Sequence, residues 1–245
     1  MAGPGAAIGQ GLPEGAMVPV DAVDVRLDPS AHPIERGNAE AIAANWEREI
    51  AARPALFDGE MVLLSRLSWR DRVLSGVCHT VRYSTFLFWR STRAGTAAHC
   101  FAHAMPVSSD GALVAIRMGG HTINGGKVYF AAGSFEPGDF FADGQVDVLG
   151  NMAREVREET GIDLSGLPRE AGYQAVRMRE GTVLARRFFL PWTADEAAER
   201  ISAFVADEVE PEIEGPVIIR SADDAPEGLM PHIRPLVGWH FSKQP

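Results

Sequence analysis

The glutamate-rich segment that ends at Gly161 is the sequence feature that most constrains the fold of this chain. Its apolar residues Met152 and Val156 lie one helical turn apart, so both can face a sheet while the charged residues between them point away. A glycine directly after the last periodic residue is typical of the left-handed end of a helix. The pattern therefore predicts a helix from about Asp147 to Thr160.

Three glutamates share one surface of this predicted helix. Glu155 and Glu159 are one turn apart, and Glu158 lies beside them at the i+3 position. Repulsion between like charges at i and i+4 costs an exposed helix only about 0.2 to 0.5 kcal/mol, so a solvated acidic face also explains the pattern. Carboxylates on a rigid element are equally the oxygen ligands that Mg²⁺ and Mn²⁺ use beside phosphates. Spacing and charge leave both interpretations open.

The other apolar patterns predict helices interleaved with strands and hairpins. The pair Asp58–Gly59 predicts a hairpin turn, and a second turn is expected at Glu180 and Gly181. Strands are predicted within residues 55–91, 99–118, 128–133, 172–192 and 217–220, and helical or amphipathic segments at 37–54, 195–207 and 232–241. This order predicts an α/β (α+β) fold, with a mixed sheet between helices.

Composition shifts divide the chain into three segments. Residues 1–20 are rich in Ala, Gly and Pro and predict a flexible tail with little to bury. Residues 21–95 are interpreted as an N-terminal extension of helix and strands packed on the core. Residues 96–245 form the main domain.

Charge and cysteine content exclude several classes of function. A net charge of −10 opposes non-specific binding to nucleic acid, which needs a basic footprint over the phosphates. Cys78 and Cys100 are too few for a disulfide framework, which favours a reducing compartment. The sequence shows no basic start followed by an apolar run and no stretch of 18 apolar residues. We expect a cytoplasmic protein without a membrane span.

Residues 154–162 read REVREETGI and resemble the second half of the Nudix box, Arg-Glu-aliphatic-x-Glu-Glu-x-Gly-aliphatic. The resemblance implies a Nudix-type αβα sandwich around a mixed β-sheet. It implies that Glu155, Glu158 and Glu159 bind Mg²⁺ or Mn²⁺, and that Glu158 or Glu159 also activates water. For Arg154 it implies a structural salt bridge with an acidic residue upstream, so the catalytic set would be Arg154, Glu158 and Glu159.

The first half of the box is interrupted. The family pattern is Gly, five residues, Glu and seven residues before the arginine, but phenylalanine and valine occupy those two places here. Starting from Gly133, five residues lead to Asp139, and 14 residues then precede Arg154. We infer an insertion of seven residues in this loop. Glu136 or Asp139 is then the candidate partner of Arg154.

Residues outside the box complete the predicted site. Arg117 stands where the family often places a basic residue near substrate phosphate, although a surface role at a sheet edge is equally open. His121 and Asn124 can hydrogen-bond substrate or stabilise their glycine-rich turn. Glu212 and Glu214 are candidates for an extra catalytic carboxylate, with a solvated acidic loop as the alternative.

The resemblance implies a metal-dependent hydrolase that cleaves the diphosphate of a nucleoside diphosphate linked to another moiety, by attack of water at phosphorus. A loose similarity to the UDP-glucose and UDP-galactose branch, at Trp46 and residues 54–59, favours a nucleotide sugar. Arg117 and His121 make a coenzyme A derivative the next candidate. The expected partner is thus a small molecule, and a homodimer is compatible with the resemblance. A catalytically weak Nudix-fold nucleotide sensor is the alternative.

Overall fold

The computed structural model describes residues 8–179 and 181–242. The described strands are β1 Met17–Val20, β2 Ala22–Leu27, β3 Glu60–Arg70, β4 Val73–Arg82, β5 Cys100–Val107, β6 Leu113–Met118, β7 Val128–Tyr129, β8 Tyr173–Arg177, β9 Thr182–Phe189 and β10 Ile213–Ile219. The described helices are α1 Ala39–Ala52, α2 Tyr83–Thr92, α3 Val148–Thr160, α4 Ala194–Asp207 and α5 Arg234–Ser242.

The main sheet has seven strands in the order β1-β8-β9-β5-β6-β10, with β7 paired to β6. Strands β5 and β9 are parallel, and their other neighbours are antiparallel. Helix α3 packs against β5, and α4 packs against β10 and β6. The mixed sheet with helices confirms the predicted α/β class. Among the described residues, no helix has the length and apolar character needed to cross a membrane.

Helix α3 begins and ends as its sequence predicts. The side chain of Asp147 accepts a hydrogen bond from the backbone N–H of Gly150 at 2.8 Å, which caps the first turn. Gly161 adopts the left-handed conformation with φ of 70°. Met152 and Val156 are fully buried in the main core. Burial of this apolar face fixes which side of the helix the glutamates occupy.

A second sheet of three strands, in the order β2-β4-β3, lies within the predicted N-terminal extension. Its hairpin turns at Asp71 and Arg72, which both have positive φ, so the turn predicted at Asp58–Gly59 is wrong. Asp58 instead accepts hydrogen bonds from the backbone N–H and hydroxyl of Ser84, at 2.7 and 3.1 Å. The aspartate thus stabilises the start of α2.

Helix α2 occupies a segment that was predicted as strand, and that prediction is wrong. The sequence TFLFW from Thr85 to Trp89 is buried on consecutive positions. A helix that is buried all round shows no 3.6-residue apolar period, so its sequence resembles that of a buried strand.

The flexible tail predicted for residues 1–20 is also wrong over part of its length. Residues Met17–Val20 form β1, which pairs with β8, and Leu12 is 4% exposed in the main core. The main sheet therefore extends beyond residues 96–245. Residues 1–7 of the predicted tail, and the predicted turn residue Glu180, lie outside the described residues.

The loop before α3 folds back against the N-terminal sheet. Phe140 and Val146 face each other across a narrow hairpin, and the backbone N–H of Val146 donates to the carbonyl of Val25 on β2 at 2.9 Å. The N–H of Leu27 donates to the carbonyl of Gly144, also at 2.9 Å. These bonds hold the hairpin of the loop against β2.

Candidate carboxylate site

The three glutamates of α3 open onto one cavity of about 380 Å³, which we call the carboxylate cavity. Glu155 and Glu159 are buried, whereas the side chain of Glu158 is 59% exposed. The cavity is lined by Gly133, Ser134, Glu136, Arg154, Glu155, Glu158, Glu159, Phe204, Val205, Glu208, Glu210, Pro211 and Glu212. Helix α3 and the loops after β7 and α4 thus bring six further acidic or basic side chains around these two buried acids.

The backbone after β7 lies directly over the buried glutamates. A Cβ atom at Gly133 would overlap the carboxyl group of Glu155, so only glycine allows this approach. The backbone N–H of Ala132 donates a hydrogen bond to the Glu159 carboxyl group. Oε2 of Glu159 is buried and has no hydrogen-bond partner among the described residues. A buried acceptor without a partner is costly unless a ligand supplies one.

Arg154 joins the acids of this site. Its Nη2 lies 3.2 Å from Oδ2 of the buried Asp139, which is the upstream partner rather than Glu136. Its Nη1 contacts Oε1 of Glu155 at 2.7 Å and Oε2 of Glu158 at 3.1 Å. The guanidinium therefore fixes the relative positions of three carboxylates.

Asp139 is itself held in place from two sides. Its Oδ2 accepts hydrogen bonds from the backbone N–H of Glu136 at 2.9 Å and from the amide of Asn151 at 3.0 Å. The first bond belongs to a capping box in the 3-10 turn Pro137–Asp139. The loop before α3 thus orients the buttress of Arg154 despite its unusual length.

Burial disfavours the charged forms of both inner glutamates. It raises the pKa of Glu155 to about 7, with Arg154 opposing the shift and Glu158 adding to it. It raises the pKa of Glu159 to about 9, and the charges of Glu155 and Glu212 add to that shift. The site therefore concentrates acids that a bound cation would stabilise in their ionised form.

The two predicted extra carboxylates lie in different places. Glu212, in the loop between α4 and β10, lines the carboxylate cavity, and its backbone carbonyl accepts from Gly119 N–H at 2.8 Å. Glu214 lines a separate cavity together with His121. Of this pair, only Glu212 shares a cavity with the glutamates of α3.

The predicted substrate-binding residues do not line the carboxylate cavity. Nη1 of Arg117 donates to the carbonyls of Gly126 and Glu227 at 3.0 and 3.1 Å, so its guanidinium joins two backbone segments. The sheet-edge alternative is wrong, because Arg117 pairs with Gly215 of β10 and Val128 of β7. His121 lies in the cavity of Glu214. Asn124 lines a different pocket, described next.

That second pocket, which we call the aromatic pocket, has a volume of about 320 Å³ and adjoins the carboxylate cavity at Gly133 and Ser134. It is lined by Tyr83, Phe86, Arg90, Arg93, His99, Phe101, His103, Ile123, Asn124, Tyr129, Ala132, Gly133, Ser134, Met230 and His232. These side chains come from α2, β5, the region around β7 and the segment before α5. Their separation along the chain left no sequence signal for the pocket.

The donor set of the carboxylate cavity suits a hard divalent cation, because its free groups are carboxylate oxygens and one buried oxygen has no partner. Within residues 8–179 and 181–242, no group of three His, Cys, Asp or Glu side chains is arranged to hold a metal ion. Arg154 provides the physical reason, since its Nη1 contacts an oxygen of Glu155 and an oxygen of Glu158.

Neither a protein-family model nor a curated protein matches the chain. Among solved structures, the MutT protein from Methanosarcina mazei Go1 is similar with 21% identity and a TM-score of 0.38, covering 60% of this chain and 96% of that one. A NUDIX hydrolase from Nitrosomonas europaea is 17% identical, with a TM-score of 0.31 and coverage of 50% and 72%. DR0079 from Deinococcus radiodurans is 12% identical, with a TM-score of 0.34 and coverage of 51% and 68%. At these values the interpretation of the site rests on its own residues.

Proposed function

We propose that the chain is a Nudix-type, divalent-metal-dependent hydrolase of a small nucleotide-derived diphosphate, with residues 96–245 as its catalytic domain and 21–95 as an extension. The observation that carries the proposal is the convergence of Glu155, Glu158, Glu159 and Glu212 on one cavity around a buried oxygen without a partner. Such a cluster costs free energy in the absence of a ligand, as the raised pKa values of its inner members indicate.

The roles of the residues follow from their positions. Glu155, Glu158 and Glu159 would hold Mg²⁺ or Mn²⁺, which supplies neutralisation of phosphate charge and acidification of bound water. Either Glu158 or Glu159 accepts the proton of the attacking water. Arg154 remains tied to Asp139 through Nη2 while its Nη1 can release the glutamates. Glu212 is positioned to assist from the opposite loop.

For the substrate we propose a nucleoside diphosphate linked to a second moiety, with a nucleotide sugar favoured over a coenzyme A derivative. The adjoining aromatic pocket supports a substrate that extends beyond its phosphates, because the two cavities share Gly133 and Ser134. Arg117 and His121, the residues that pointed to coenzyme A, line neither cavity.

Turnover tests the proposal directly. Purified protein is incubated with nucleotide sugars, ADP-ribose, dinucleoside polyphosphates and coenzyme A, each with Mg²⁺, with Mn²⁺ and with chelator. With either ion, we expect at least one substrate to yield a nucleoside monophosphate. With chelator, we expect no substrate to be cleaved. Failure of every substrate with both ions contradicts the proposal.

A nucleotide sensor is the second candidate, and the contacts of Arg154 Nη1 with Glu155 and Glu158 favour it. In a sensor these ion pairs would persist, and a nucleotide would bind equally well with Mg²⁺ and with chelator, without turnover. Calorimetric titration of Mn²⁺ into the nucleotide-free protein separates the two functions. A hydrolase binds the ion at this site, and Glu155→Gln weakens that binding.

A further inference from the structure

We infer that the aromatic pocket binds the heterocyclic base of a nucleotide whose phosphates lie in the carboxylate cavity. The inference rests on the proposed function and specifies its substrate, because it assigns the base, rather than a sugar, to the pocket beside α2. None of the residues that form its walls belongs to the glutamate motif of α3.

Flat rings form a continuous wall in this pocket. The ring of His99 lies 4.9 Å from that of Phe86 and 5.0 Å from that of Phe101, and the second pair is stacked with an interplanar angle of 29°. The rings of Phe101 and His232 meet edge to face at 5.3 Å. His99 and Phe101 are only half-buried, so part of each ring remains accessible. Stacking on aromatic side chains is a main source of base affinity in single-stranded nucleic-acid complexes.

Beside the rings, several polar groups of the pocket are uncharged. Nε2 of His99 lies 2.9 Å from the hydroxyl of Ser134, and the amide of Asn124 donates to the hydroxyl of Tyr129 at 3.3 Å. Burial lowers the pKa of His99 and of His103 to about 3, so both imidazoles are neutral at neutral pH. Neutral donors and acceptors beside ring faces suit a polar, uncharged, planar group.

The charged residues of the pocket favour an anionic ligand. No Asp or Glu is among its described lining residues, whereas Arg90 of α2 and Arg93, directly after α2, are exposed there. The adjoining cavity has the opposite charge, and a cation bound there would strengthen the binding of phosphates. Gly133 and Ser134 line both cavities and allow one ligand to span them. A nucleotide with its base beside the rings and its phosphates in the carboxylate cavity suits both the aromatic wall and the cation-binding acids.

Binding without metal tests the inference separately from catalysis. UMP, CMP, AMP, GMP and ribose 5-phosphate are titrated by calorimetry into the full chain in the presence of chelator. We expect at least one nucleotide to bind about 10-fold or more tightly than ribose 5-phosphate, a difference of about 1.4 kcal/mol. Equal affinities, or no binding of any nucleotide, overturn the inference.

Two variants of the aromatic pocket test whether the base lies beside its rings. Phe101→Leu keeps an apolar side chain but removes a ring face, and we expect it to weaken nucleotide binding about 10-fold while binding of ribose 5-phosphate is unchanged. Tyr83→Leu, at a half-buried position, provides a second test if Phe101→Leu lowers the melting temperature strongly. The matched control is Phe57→Leu, because Phe57 is 82% exposed and lines neither cavity.

The outcomes distinguish this inference from the proposed function. Base-dependent binding that Phe101→Leu weakens, without turnover of any substrate, supports the pocket and contradicts the hydrolase. Metal-dependent turnover with nucleotide affinities that neither Phe101→Leu nor Tyr83→Leu changes supports the hydrolase and overturns the pocket assignment. Binding of glucose 1-phosphate as tight as that of the best nucleotide would assign the pocket to a sugar and also overturn it.

Discussion

The carboxylate cavity and the aromatic pocket meet at Gly133 and Ser134, yet burial acts on them in opposite ways. In the first, burial raises the pKa of Glu155 and Glu159, so that a bound cation would favour their ionised forms. In the second, burial lowers the pKa of His99, and the neutral imidazole needs no counter-ion. The comparison indicates a division of labour, with charge-dependent chemistry on one side and charge-independent recognition on the other.

Among the variants that test this division between the two cavities, we expect the largest effect from Glu159→Gln. The substitution keeps the size of the side chain and removes its negative charge, so we expect kcat/KM to fall by about 10² to 10⁴-fold. Nucleotide binding in chelator should stay within about two-fold, since the aromatic pocket does not depend on this charge. Steady-state kinetics and calorimetry measure the two effects. Glu199→Gln, at an exposed position of α4, is the control, and equal activity of the two variants would refute the assignment.

Gly133→Ala tests the backbone that lines both cavities, and we expect the second largest effect from it. The new Cβ overlaps the Glu155 carboxyl group, a mobile side-chain end, so the glutamate must move while the fold persists. We expect kcat/KM to fall about 10 to 100-fold, because a displacement of roughly 1 Å can cost that much. Gly120→Ala is the matched control, since its Cβ meets nothing within 4 Å. Unchanged kinetics with normal melting would show that this backbone approach has no functional consequence.

The opposite pKa shifts predict opposite pH limits of stability. Glu159 has a pKa raised from 4.5 to about 9, so the unfolded chain releases this proton first and stability falls as pH rises through that range, up to about 9. His99 has a lowered pKa, so the unfolded chain binds a proton first and stability falls as pH drops below about 6.5. In chelator we expect the free energy of unfolding to fall by roughly 1 to 2 kcal/mol on the alkaline side. This corresponds to a fall of about 3 to 8 °C in melting temperature.

Variants separate the two pH limits. Glu159→Gln should remove most of the fall between pH 7 and 9, and saturating Mg²⁺ should reverse that fall in the unsubstituted protein. Because the Glu159 and His99 windows overlap between about pH 4.5 and 6.5 with opposite signs, the variant should also steepen the acid fall. His99→Asn should affect only the acid side. Thermal melts at pH 5, 7 and 9 provide the measurement. If either variant abolished the loss of stability at both acid and alkaline pH, the two cavities would not titrate independently.

The same contrast explains what could be predicted from the sequence. The glutamates of α3 were found because helical spacing and a terminal glycine are local patterns. Asp139 was one of two candidates for the partner of Arg154, and its ion pair decides between them. By contrast, the aromatic pocket depends on α2, whose continuous apolar run was interpreted as strand, and on strands far apart in sequence. Long-range packing of this kind leaves no periodic signal.

The residues proposed to contact substrate were harder to predict from the sequence than the acidic residues of the site, for a related reason. A basic residue on a strand near a glycine-rich loop fits a phosphate contact by sequence, but the bonds of Arg117 to two backbone carbonyls direct its guanidinium elsewhere. Asn124 lines the aromatic pocket, beside Tyr129 rather than beside the glutamates, and its contact with substrate stays a prediction. The direction of a side chain at a loop depends on turn geometry, which the residue types alone did not determine.

The smallest expected effect distinguishes Glu212, in the loop after α4, from Glu214, near the start of β10. Glu212 lines the carboxylate cavity and Glu214 does not, although they are two residues apart and both exposed. We expect Glu212→Gln to lower kcat/KM about 5 to 10-fold, roughly 1 kcal/mol, because its charge acts on the site without being buried in it. Glu214→Gln should stay within about two-fold and serves as the matched control. Raising the salt concentration should narrow the difference, since screening weakens the field of an exposed carboxylate. If Glu214→Gln had the larger effect, the catalytic surface would extend into the cavity of His121, and the boundary drawn here around the carboxylate cavity would be wrong.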